Sequence, residues 1–215
     1  MPSVDAGELT QRLNWLRGGE RTVQALIAFG SGAIEPLKRF LFEGRPGVTF
    51  QPRQWAVHAL AGLGARDVLI DYLKWQKNIA DPPTRLAEEA VEITAARALK
   101  AWPGKNTTQV LLDLAQSHLQ PGLVDTLGDF KCVRAIPYFI RALEDDVCRA
   151  SAIRALSKLG GRARSALIKT SQTPYPSVEE ESPSSRIRRR NALALLAEID
   201  TQRRRSARVR KAGTL

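Results

Sequence analysis

The residues able to do chemistry are few and scattered. His58 and His118 are the only histidines, and neither has a cysteine or a second histidine at metal-ligand spacing. Cys132 and Cys148, the two cysteines, show no metal spacing either, and each falls inside a helical pattern, which reads as two buried thiols. Glu88, Glu89 and Glu92 share one helix, where surface pairs with Arg85 and Arg97 are expected rather than an acid/base dyad. There is no Gly-rich phosphate loop and no nucleophile elbow. These residues predict a protein that is not an enzyme and needs no cofactor and no metal.

Charge is the sharper signal. The formal net charge is +11, and residues 186–215 carry ten of the cations: Arg186, Arg188, Arg189, Arg190, Arg203, Arg204, Arg205, Arg208, Arg210 and Lys211, against Glu198 and Asp200. That leaves a near-neutral body and a basic C-terminal arm. Such an arm binds phosphates without sequence preference, docks on an acidic protein patch, or only solvates.

The elements that must position these residues are helices in repeat. Ala135–Gly160 reads as two amphipathic helices: Ile136, Phe139, Ile140 and Leu143 on the first, Val147, Ala152, Ile153, Ala155, Leu156 and Leu159 on the second. Pro137 suits a helix start, Glu144, Asp145 and Asp146 supply caps, and Gly160-Gly161 is a stop. With Leu156 as anchor, matching positions fall at Leu26, Leu60, Thr94, Leu127 and Leu195, with successive gaps of 34, 34, 33, 29 and 39 residues. Three before each anchor stand Val23, Val57, Val91, Val124, Ile153 and Ala192; two before stand Gln24, His58, Glu92, Asp125, Arg154 and Leu193, polar in five of six. Thr94 is the weak anchor, with Leu99 its rival at poorer spacing.

A helix pair recurring every 34 to 47 residues or so is the mark of an α-solenoid. The segments Ala135–Gly160, Gln54–Leu73 (QWAVHALAGLGARDVLIDYL) and Thr22–Leu41 (TVQALIAFGSGAIEPLKRFL) resemble HEAT-like repeats of the short bacterial type, also seen in proteins related to phycobilisome lyases. The resemblance implies an all-α, right-handed solenoid of about six helix pairs. It also implies that the second helices line a concave face. Gln24, Gln54, His58, Glu92, Asp125 and Arg154 would then face a groove. Its mixed signs suit a protein or peptide partner better than a phosphate track; the plainer alternative is a solvated helix face. Some glycosylases of alkylated DNA bases are similar in fold class. Trp55 and Asp125 could serve that chemistry, but the basic rungs are too few. No residue set carries the bilin-lyase function over.

Residues 1–170 are therefore expected to form the repeat body, opened by a short helix over 5–16. Loops are expected over 43–52 and, as an acidic Pro/Ser-rich linker, over 171–185. Residues 186–200 would be the last helix and 201–215 a disordered basic tail. Trp15, Trp55, Trp75 and Trp102 are expected in packing roles. With no secretory signal and no run approaching the roughly 18–20 apolar residues that span a bilayer, the expected location is the cytoplasm. The expected role is a scaffold or adaptor. A protein partner is foremost, with nucleic acid as the alternative through the arm, and the sequence leaves the oligomeric state open.

Overall fold

The computed structural model describes residues 19–43, 51–75, 77–172 and 181–212, the side chains of 51 and 206–212 excepted. Among the described residues there are eleven α-helices and no strand, and no helix is long and apolar enough to cross a membrane. The predicted helix over 5–16, with Trp15, lies outside the described residues, as does most of the loop predicted over 43–52.

The chain divides into two compact units, Met1–Leu114 and Ala115–Leu215. The first holds α1 (Gly19–Ala28), α2 (Ile34–Glu43), α3 (Gln51–Gly62), α4 (Arg66–Lys74), α5 (Pro82–Ala98) and most of α6 (Lys105–Ser117). The second holds α7 (Pro121–Asp129), α8 (Ile136–Ala142), α9 (Arg149–Leu159), α10 (Arg164–Ser171) and α11 (Pro183–Ala212).

One packing plan recurs in both units. In the first, α1, α3 and α5 touch in series; α2 lies on α3, α4 on α5, and α2 meets α4. In the second, α7, α9 and α11 touch in series; α8 lies on α9, α10 on α11, and α8 meets α10. The odd helices carry the repeating anchors, so the sequence period translates into like helices stacked on like.

Leu26, Leu60, Leu127 and Leu156 are fully buried and Leu195 is 2% exposed. Thr94 breaks the series. It is half-buried, and its hydroxyl bonds Ala90 O at 2.9 Å. At the end of α5 the same burial phase belongs to Ala95, Ala96 and, one residue past the helix, Leu99, with Arg97 exposed. Leu99 is thus the structural anchor, and Glu92 is out of phase with the other rungs.

Local signals set the helix ends. Asp81 Oδ2 accepts from Thr84 N at 2.9 Å and caps α5 ahead of Pro82. Asp145 Oδ1 accepts from Val147 N at 2.9 Å and Cys148 N at 2.8 Å, closing the turn into α9. Gly160, at φ +55°, ends α9. Val147 does not join the α9 stripe; it is 72% exposed on that turn. Trp75, just past α4, packs against Phe42 as expected while staying 42% exposed.

The largest departure is at the C-terminus. Where a linker to 185, a helix over 186–200 and a disordered tail are expected, α10 runs to Ser171 and α11 continues unbroken from Pro183 to Ala212. No Gly or Pro occurs between Ser184 and Ala212, and Arg, Ala and Leu are strong helix formers. Ala192, Leu195 and Ile199 fix the first half of α11 in the core.

Candidate functional site

The six predicted rungs do not behave alike. In the first unit, Gln24 and His58 are exposed, with Gln24 Nε2 donating to Glu20 Oε1 at 2.8 Å. Gln54 is half-buried and turned to α5, donating to Ala90 O at 3.2 Å and Thr94 Oγ1 at 2.9 Å. It ties two helices together. Glu92 is engaged by Lys77 Nζ at 2.7 Å.

In the second unit the rungs pair with each other. Arg154 Nη2 bonds Asp125 Oδ1 at 2.8 Å, and one turn on Lys158 bonds Asp129. Both pairs span 29 residues, the same offset as Leu127 to Leu156. The repeat register therefore sets charge against charge across α7 and α9, and much of this face is neutralised internally. Gly128 allows the approach, since a Cβ there would stand 2.6 Å from Ala155 Cβ.

A cluster that periodicity does not suggest lies inside the first unit. Arg53 reaches from α3 to the Leu41 carbonyl (Nη2 at 2.8 Å), to the Tyr72 hydroxyl at 3.1 Å and to both Glu88 oxygens, one of them at 3.2 Å. The Tyr72 hydroxyl donates to Glu88 Oε1. Lys77 Nζ sits 3.1 Å from Glu88 Oε1 and 4.0 Å from the centre of the Tyr72 ring. Phe42 and Trp75 complete the aromatic wall, their ring centres 5.4 Å apart. Burial alone would raise Glu88, but the hydrogen bonds from Arg53 and Tyr72, with the charges of Arg53 and Lys77, outweigh it and hold the carboxyl below its usual range. Burial pushes the Tyr72 hydroxyl strongly upward, so it stays a donor. Glu88 is 4% exposed, not the surface partner expected; Glu89 does pair with Arg85, at 3.7 Å.

Cys132 and Cys148 are buried free thiols. Burial, with Asp145 close by, pushes Cys148 up to about 12, which keeps it a thiol rather than a nucleophilic thiolate. His58 and His118 are exposed. No His, Cys, Asp and Glu grouping among the described residues could hold a metal.

The arginines of α11 divide into two sets. Near its start, Arg189 grips both oxygens of buried Glu181, with Nη2 to Oε2 at 2.8 Å, and Arg186 donates to Glu181 O at 3.2 Å. Arg188 Nη1 lies 3.4 Å from Glu144 Oε2, and Asp200 accepts from Arg164 at 2.9 and 3.3 Å. The Glu181 bonds secure the start of the helix, and the Glu144 and Arg164 pairs tie it to its unit. A cavity of about 280 Å³ is lined by Pro183, Arg186, Ile187 and Arg190. The second set differs: Thr201, Gln202, Arg203, Arg204 and Arg205 are all exposed. Arg208, Arg210 and Lys211 lie further along the same helix.

Sequence reading thus finds the arm but not its form, and misses the buried cluster. The one sequence hint of that cluster is Glu88, which lies between Ala87 and Val91 on the apolar side of α5. The chain matches no family model and no curated protein.

Proposed function

We propose that this chain is a non-catalytic binding scaffold: a right-handed HEAT-like α-solenoid of about six helix pairs that engages a macromolecular partner, chiefly through α11. The like-on-like stacking of odd helices in each unit supports the repeat reading. The protonated Cys148 thiol and the doubly clamped Glu88 support a binding rather than a chemical role.

The observation that carries the proposal is the run of five consecutive exposed residues from Thr201 to Arg205. At roughly 100° per residue such a run covers a full turn, so α11 has no packed side there. The polar rungs contribute less, because Asp125 and Arg154 bond each other and Gln54 and Glu92 serve internal contacts.

Heparin chromatography of the full chain tests this. The R203E/R204E/R205E variant is expected to elute at markedly lower salt than the parent, whereas R154E elutes close to it. Equal elution of parent and triple variant would sink the assignment of α11. Deletion of α11 is the wrong test, since Ala192, Leu195 and Ile199 belong to the core.

A further inference from the structure

Resting on the reading of α11 as the engaging element, we infer that its partner is duplex DNA, with the segment from Thr201 onward lying in the major groove. Ile199 is the last buried residue among the described side chains of α11, and from Thr201 to Arg205 every side chain is exposed. The helix continues to Ala212, so twelve helical residues follow Asp200, about 18 Å at roughly 1.5 Å per residue.

Within those twelve residues stand six cations, Arg203, Arg204, Arg205, Arg208, Arg210 and Lys211, and no acid. Consecutive helical residues point about 100° apart, so Arg203, Arg204 and Arg205 fan over roughly 200° of the circumference. A flat acidic protein surface meets only one side of a helix and would leave part of that fan unpaired. A groove has phosphates on both walls. The major groove of B-form DNA is about 12 Å wide and admits one α-helix, whereas the major groove of A-form RNA is too narrow for side chains to read. The charge pattern is therefore complementary to a B-form groove.

The helix also carries the cost of standing alone. Arg204 and Arg208 are like charges at i,i+4, which weakens an isolated helix by a few tenths of a kcal/mol per pair. Phosphates relieve that repulsion, so DNA should raise helicity. The first half of α11 supplies the footing: Ala192, Leu195 and Ile199 are buried, Arg188 pairs with Glu144 and Asp200 with Arg164. No base readout follows, because the cations address phosphates.

The test is fluorescence anisotropy with the full chain and four probes: a 20-base-pair DNA duplex, one of its strands, a duplex RNA of the same sequence, and poly-glutamate as an acidic-protein mimic. The DNA duplex should bind tightest. The slope of log affinity against log salt should approach, without exceeding, about −5, from roughly 0.9 per phosphate for six cations. R203E/R204E/R205E should weaken duplex binding by at least roughly tenfold and flatten that slope by about 3. Circular dichroism should show helicity rising when DNA is added to the parent and not to the variant. Single strand, RNA or poly-glutamate binding as tightly as the DNA duplex would overturn the groove, and absence of duplex binding would overturn the inference outright. If heparin retention still depends on Arg203–Arg205 in that case, α11 remains the engaging element and only the DNA assignment falls; if it does not, both fall.

Discussion

Glu88 is where a single atom matters most. Its two oxygens hold Arg53, Lys77 and the Tyr72 hydroxyl in a place almost closed to water. Glu88→Gln leaves Arg53 buried without its counter-charge, while Lys77 keeps Glu92, and breaking a buried pair in this way costs about 3–5 kcal/mol. We expect a lower urea midpoint for E88Q at pH 7, read by tryptophan fluorescence. The pH dependence has a definite sign. Because the folded carboxyl titrates below its unfolded value, its stabilisation is complete above about pH 4.3 and disappears as pH falls through the lower folded value. The gap between parent and E88Q should therefore close below about pH 4, and a gap that persists unchanged would remove the ion pair as its cause. This cluster was not legible in the sequence. Arg53 and Glu88 lie 35 residues apart on different helices, and hydrophobic period reports which side of a helix is buried, not which charges meet there.

The contact between α7 and α9 turns on Gly128. A Cβ at that position would stand 2.6 Å from Ala155 Cβ and 2.9 Å from its Cα, atoms that cannot swing aside. Overpacking of this sort costs about 1–3 kcal/mol, against a helix-propensity gain of about 1 kcal/mol for replacing glycine with alanine. Gly128→Ala should therefore be net destabilising. Gly62→Ala on α3 meets only the rotatable end of Ile27 and should be near neutral or mildly favourable, so thermal melts of the two variants should separate. Helix existence and phase were largely readable from spacing: Leu26, Leu60, Leu127, Leu156 and Leu195 all fall in the core. Thr94 breaks the series because counting 34 from Leu60 stops short in a 17-residue helix whose buried anchor, Leu99, lies just past its end. The length of α11 was missed for another reason. A run of arginines reads as unstructured when judged by what it can bury, yet its first half is already packed and nothing after it interrupts the helix.

At the scale of the molecule, the two units carry different natural reporters. All four tryptophans fall in Met1–Leu114 and both cysteines in Ala115–Leu215. Fluorescence therefore follows the first unit, and thiol labelling under denaturant follows the second. E88Q should shift the fluorescence midpoint, and Gly128→Ala the labelling midpoint. The net charge of +11 is likewise uneven, with six cations and no acid on the twelve residues from Thr201 to Ala212. That placement has a consequence for turnover. A trypsin-like protease cutting after Arg203, Arg204 or Arg205 would meet exposed side chains, since the last buried one among the described residues of α11 is Ile199. Brief trypsin treatment should yield a shortened chain that keeps its melting temperature, while cuts at Arg188 and Arg189 come later. The intact mass of the purified protein then records whether this segment was shielded while the chain was in the cell.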